Sequence, residues 1–302
     1  MCAAVPQRLI ATDFPIDLAA TLFPLCRGAG DPTMRVGLGD TWRAMRTPDG
    51  PATLHLRSYG YDIQADAWGP GAGWALDSAP GLVGALDDDS GFEPHHDVVA
   101  ELWRHNRGVR VTTSGAVMHA LIPTILEQKV TGHEARRAYR SMVLATSEPA
   151  PGDMGLFLPP DPARIAETPY FAFHPWGVEQ RRAETVRAAC AQAARLEMCA
   201  SLPLDQANAR LLSFPGVGPW TVAEVARTAL GDPDAISVGD FHLPNTVCWA
   251  LARQPRGTDA DMLELLEPYR GQRGRVQRLL EAGHISAPAY GPRMEVGHIE
   301  RI

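Results

Sequence analysis

The stretch Leu211-Leu212-Ser213-Phe214-Pro215-Gly216-Val217-Gly218-Pro219-Trp220-Thr221-Val222-Ala223 decides the fold. Two helical patterns flank a tight Pro-Gly-Val-Gly turn, and Pro219 sits at the first position of the second helix, where its missing N–H costs nothing. Gly216 and Gly218 let the backbone approach a ligand closely and leave N–H groups pointing outward. Together with the following helix N-terminus those groups form a site for a phosphate, gripping a backbone without reading sequence. Taken alone, the turn is equally an ordinary connection between two helices.

Twenty residues past Trp220 comes Ser237-Val238-Gly239-Asp240-Phe241-His242-Leu243-Pro244-Asn245. Asp240 stands in an apolar surround just ahead of a helical pattern, and by itself it reads more readily as a helix cap, the commoner event. Upstream lies Ile125-Leu126-Glu127-Gln128-Lys129-Val130-Thr131-Gly132. In this order the three elements resemble the helix-hairpin-helix DNA glycosylase superfamily, with its Gly-Val-Gly hairpin followed by a catalytic Gly/Asp loop. Gln128-Lys129-Val130-Thr131 resembles the Gln-x-Val-Ser/Thr segment of its 3-methyladenine DNA glycosylase II branch, the AlkA-like one. The resemblance covers roughly Thr113 to Leu280.

The resemblance implies a monofunctional DNA glycosylase that flips an alkylated purine out of double-stranded DNA and hydrolyses its N-glycosidic bond. Asp240 is the implied catalytic carboxylate. It would stabilise the positive charge that develops on the deoxyribose and orient or deprotonate water. Bifunctional members carry a lysine in the second hairpin helix, which attacks the sugar to form a Schiff base. Here that position is Trp220, and Lys129 is the only lysine in the chain. Trp220 and Tyr269 match the branch's pocket aromatics, where a cationic base gains stacking and cation–π energy of about 1 kcal/mol each. For both, core packing is the competing reading. Phe241 is a further pocket candidate.

Two positions depart from the branch. Glu224 stands one helical turn beyond Trp220, where the branch tends to have a tyrosine, and a carboxylate there changes the polarity of the pocket. Lys129 stands where an apolar side chain usually wedges into the duplex. Its stem could pack there while its amine reaches a phosphate, with Gln128 against the orphaned base; a solvated helix end is the bland reading of both. At the hairpin, Pro215, Gly216, Val217, Gly218 and Thr221 are expected to meet the DNA backbone. The carbonyls of Leu212, Phe214 and Val217 are implied to hold a monovalent cation, sodium or potassium. Arg270, Arg273, Arg275 and Arg278 cluster close behind, suited either to a backbone track, with Arg273 and Arg275 on DNA, or to a solvated charged face. The rival functions are a non-catalytic helix-hairpin-helix DNA-binding protein and a glycosylase for an oxidised or deaminated base.

The rest of the chain frames this site. Its 302 residues allow two packed units, and 45% hydrophobic with 21% charged residues excludes wholesale disorder. The net charge of −7 argues against a polyanionic partner until it is divided. Residues 1–97 carry 6 Arg against 13 Asp and Glu, whereas residues 98–302 carry 22 basic and 22 acidic residues. A neutral domain can still hold a basic face. The first third, residues 1–93, reads as an α+β accessory domain. It has a helix from Leu18 to Leu25 and antiparallel strands over Thr41–Thr47, Ala52–Tyr59 and Tyr61–Trp68; in Thr53-Leu54-His55-Leu56-Arg57 polar and apolar residues alternate. The turn-forming run Asp87–Pro94 marks the boundary. Residues 94–285 read as the helical glycosylase domain and residues 286–302 as a Pro/Gly-rich tail.

Other functions fit poorly. The five cysteines are scattered with no C-x-x-C pair, so neither a zinc knuckle nor an iron–sulfur cluster is expected. His133-Glu134-Ala135-Arg136-Arg137 lacks the second histidine of a zinc-protease helix. Gly69-Pro70-Gly71-Ala72-Gly73 makes a poor dinucleotide loop, and His95-His96 sits in the boundary loop. No apolar run approaches the roughly 18 residues that span a bilayer, and the N-terminus lacks a leader pattern, so a cytoplasmic monomer is expected.

Overall fold

Five antiparallel strands form a sheet in the order β1-β5-β4-β3-β2, from β1 (Gln7–Ile10), β2 (Met34–Gly37), β3 (Asp40–Thr47), β4 (Gly50–Tyr59) and β5 (Asp62–Trp68). The computed structural model describes residues 5–288; most of the tail expected from Ser286 onward lies outside the described residues. Strands β3 to β5 match their sequence patterns, whereas β1 and β2, four residues each, are too short to show a period. The pattern in β4 works on both faces. Leu54 and Leu56 pack inward with α2 (Ala72–Leu82) and α1 (Leu18–Leu22), around Leu22, Ile63 and Leu82. On the outer face Thr53 Oγ1 donates to the Pro151 carbonyl at 2.6 Å, and His55 stacks on Trp42 with centroids 3.7 Å apart. That face is therefore covered by a return of the chain, with Ala44 clustering against Ala150, Leu156 and Leu158.

The helical part comprises α3 (Asp97–His105), α4 (Val117–Leu126), α5 (Gly132–Thr146), α6 (Pro162–Glu167), α7 (Gln180–Ala191), α8 (Ala193–Glu197), α9 (Leu204–Leu212), α10 (Pro219–Val225), α11 (Leu243–Ala252), α12 (Asp259–Leu266) and α13 (Arg273–Ala282). Helix α4 is buried all round and is the hub of the main helical core, which includes Leu121, Ile125, Tyr139, Phe173, Val186 and Leu211. Helix α5 opens with a full capping box, Thr131 and Glu134 each satisfying the other's backbone. A second helical core, built on α3 and α11 to α13, holds Trp103, Val247, Met262, Tyr269 and Leu279.

The basic run of α13 ties these parts together. Arg275 Nη1 and Nη2 form a bidentate pair with Asp87 at 2.8 and 2.7 Å, both side chains being almost fully buried. Arg278 Nη2 donates to the Ala20 carbonyl at 2.7 Å. For Arg275 and Arg278 the expected DNA track is thereby corrected, since both are inside the protein and serve internal groups. Arg273 pairs with Asp234 and Arg270 with Glu267 nearer the surface.

Candidate active site

The hairpin is built by α9 and α10. Val217 N–H donates to the Phe214 carbonyl at 3.1 Å, closing the turn. Gly216 has φ of +83°, a conformation that favours glycine, and a Cβ there would meet Thr185 of α7 at 2.7 Å. Gly218 is extended, and a Cβ there would meet nothing within 4 Å. Pro215, Gly216 and Pro219 are exposed, while the side chains of Phe214 and Val217 are anchored in the main helical core. The turn thus presents backbone outward and roots itself through its apolar side chains.

The Gln128 segment meets this turn directly. Gln128 Nε2 donates to the Gly216 carbonyl at 2.9 Å and to Thr221 Oγ1 at 3.0 Å, so positions 88 and 93 residues apart in sequence are tied together. Thr221 is buried and its hydroxyl accepts this bond, so it braces the hairpin. Lys129 is exposed and has φ of +58°, a left-handed backbone that non-glycine residues adopt only at a cost. Behind it, Arg27 of the N-terminal unit pairs with Glu127 at 3.1 Å. Burial raises the Glu127 carboxyl's pKa, and Arg27 opposes that rise.

Beside the hairpin opens a cleft of about 300 Å³ lined by Trp220, Glu224, Arg227, Asp240, His242, Thr246, Gln277 and Glu281 among others. Trp220 and Glu224 share one face of α10, being four residues apart. Asp240 reaches the cleft from the loop before α11. Its Oδ1 accepts from the backbone N–H groups of His242 and Leu243, both at 2.8 Å. Its Oδ2 accepts from Trp220 Nε1 at 3.1 Å. The carboxylate therefore plugs the start of α11 with one oxygen, as the cap reading expects, and faces the indole in the cleft with the other. Gly239 has φ of +88° and its N–H is held by both oxygens of Asp259 on α12, which fixes the loop from behind.

The floor of the cleft is a charged network. Arg227 links Glu224, at 3.2 Å, to Glu281, and Glu281 also accepts from Arg278 and from Gln277 at 3.0 Å. Burial would raise the Glu281 carboxyl, but Arg227 and Arg278 hold it down to about 2. Burial lowers Arg278 to about 10, still a cation at neutral pH. Sequence reading did not assign Arg227, Gln277 or Glu281 to the site. The three-residue spacing of Glu224 and Arg227 on a helix was the available signal.

The remaining aromatics divide. Phe241 is 74% exposed, edge-on to His242 with centroids 4.8 Å apart, next to Asp240 but not lining the cleft. Tyr269 is a correction to the expected pocket. A 3-10 turn, Glu267–Tyr269, puts its ring into the second helical core against Phe92. Its hydroxyl meets His96 Nδ1 at 2.8 Å and accepts from the His95 N–H at 3.0 Å.

Among the described residues no helix is long and apolar enough to cross a membrane. No protein-family model matches the chain. The probable bifunctional transcriptional activator/DNA repair enzyme AlkA of Mycobacterium tuberculosis is 40% identical over 68 residues, which is 22% of this chain and only 14% of the relative's length. A 3-methyladenine DNA glycosylase from Archaeoglobus fulgidus superposes with a TM-score of 0.75 at 15% identity, covering 90% of this chain and 97% of that one. The 8-oxoguanine glycosylase/lyase of Clostridium acetobutylicum, solved with double-stranded DNA, gives 0.68 at 11% identity over 93% and 97%. Over nearly its whole length the chain has the fold of these DNA glycosylases.

Proposed function

We propose that this protein is a monofunctional DNA glycosylase that extrudes a damaged base from double-stranded DNA and hydrolyses its N-glycosidic bond, with alkylated purines of the 3-methyladenine kind as substrates. The observation that carries the proposal is the meeting of Trp220 and Asp240 in one cleft beside the hairpin. The two backbone N–H groups on Oδ1 hold the carboxylate in place before substrate arrives. A preorganised charge of that kind stabilises an oxocarbenium-like transition state without reorganising. Oδ2 then serves the sugar or a water, and the indole ring offers its face to the base.

The outward backbone at Pro215, Gly216 and Gly218 suits a phosphate contact. The carbonyls of Leu212, Phe214 and Val217 would hold a monovalent cation there. The Phe214 carbonyl already accepts the Val217 N–H and keeps one lone pair for it. Lys129, exposed on its strained turn and tied through Gln128 to the hairpin, suits entry into the gap left by the base.

Incubation of the protein with methylated duplex DNA tests this reading, with released bases quantified. Release of methylated purines by the unmodified chain and its loss in Asp240→Asn are the expected results. DNA binding without any release would favour the non-catalytic rival.

A further inference from the structure

We infer that Glu224 selects the base: its free oxygen accepts from an N–H of the extruded purine, and its charge favours a cationic base over a neutral one. The inference rests on the reading of the cleft as a glycosylase pocket. Glu224 Oε1 takes both the Ser237 hydroxyl and Arg227 Nη1, while Oε2 has no partner among the described residues. The residue lines the cleft one helical turn from Trp220, on the same face of α10. A carboxylate oriented through one oxygen presents the other as an acceptor only.

Charge in the cleft points the same way. Asp240, Glu224 and Glu281 line it against a single arginine, Arg227. Glu281 is tied to two arginines and a glutamine, and Asp240 to the helix start and the indole. Glu224 is the one of the three with an oxygen still open, so it is the carboxylate free to accept from a base. Purines methylated at N3 or N7 carry a positive charge while attached to the sugar and bear N–H donors on the ring edge. Hydrogen bonds between ionised partners are roughly twice as strong as neutral ones. A cationic purine therefore gains at this position what a neutral purine does not.

Two duplexes decide the matter, one carrying 7-methylguanine and one carrying hypoxanthine, a neutral purine, each assayed under single turnover. The unmodified protein should excise the cationic base faster. Glu224→Gln keeps an acceptor for Ser237 and removes the charge. It should cut excision of 7-methylguanine roughly tenfold or more and that of hypoxanthine by much less, narrowing the ratio between the two. Affinity for a duplex with a tetrahydrofuran abasic site, which offers no base to the cleft, should not change. An equal fall on both bases, weakened binding to the abasic duplex, or an unchanged preference would overturn the role of Glu224. Release of neither base by the unmodified protein would instead overturn the glycosylase reading itself.

Discussion

Trp220 and Asp240 are joined by a hydrogen bond of 3.1 Å from indole Nε1 to carboxylate Oδ2. Trp220, which stands where the resemblance puts a lyase lysine, thus hydrogen-bonds the carboxylate proposed to act on the sugar. Asp240→Asn retains an oxygen for the His242 and Leu243 N–H groups, so the start of α11 survives while the charge is lost. Excision should fall by about 10²–10³-fold, the usual effect of removing one preorganised electrostatic partner, with DNA affinity retained. Asp240→Ala should add a stability loss of about 1 kcal/mol from the lost cap. Single-turnover rates and thermal unfolding separate the two.

The absence of an amine from the cleft lining makes a chemical prediction. Borohydride added during reaction on damaged DNA should trap no covalent complex, because the proposed nucleophile is water. An adduct on Lys129, the chain's single lysine, would show that the exposed loop reaches the sugar and that the enzyme is a lyase.

Arg275 separates a structural arginine from a DNA-binding one. Its bidentate pair with Asp87 lies almost wholly out of water. Arg275→Ala leaves a buried carboxylate uncompensated and should destabilise the protein by about 3–5 kcal/mol. In denaturant titration the midpoint should drop accordingly. Below the unfolding range, the salt dependence of DNA binding should not change, since no phosphate contact is removed.

Lys129 combines a strained backbone with a charge, and two substitutions take these apart. Lys129→Met keeps an unbranched stem and should lower the slope of log affinity against log salt by about 0.9, with excision largely retained. Lys129→Gly relieves the left-handed φ of 58° and should leave stability unchanged or raise it by as much as about 1 kcal/mol. With nothing left to fill the gap in the duplex, base excision should nevertheless fall. Unfolding and excision measured on both variants check the separation.

What could be read in the sequence follows from which physics is local. The hairpin, the capping box of Thr131 and strands β3 to β5 declare themselves through turn residues, caps and period. Asp240 and Trp220 could be placed together because they sit on a motif with fixed spacing. Tyr269 and Arg275 were misread because both stand at plausible helical spacing while their partners, His95, His96 and Asp87, lie about 170 to 190 residues away. No local pattern in the polar face of β4 announces that residues near Pro151 return to cover it. Long-range pairing of charges, as with the half-exposed Glu281 and the buried Arg227, leaves no periodic trace at all.

That same pair sets how the fold responds to acid. Glu281 ordinarily titrates at 4.5 and is held at about 2 in the folded protein, because Arg227 and Arg278 outweigh the effect of burial. A carboxyl depressed on folding stabilises the native state above its unfolded pKa, and that contribution is lost as pH falls toward the folded value. Stability should therefore decline through the window from about pH 4.5 down to about 2 as the unfolded state takes up the proton first. Glu281→Gln should flatten the decline in that window, while lowering stability at pH 7, where two arginines lose their shared partner. Urea unfolding from pH 7 to pH 2.5 measures both effects. A variant with the parent's slope would mean that other carboxylates govern acid unfolding and that the floor of the cleft is electrostatically neutral to folding.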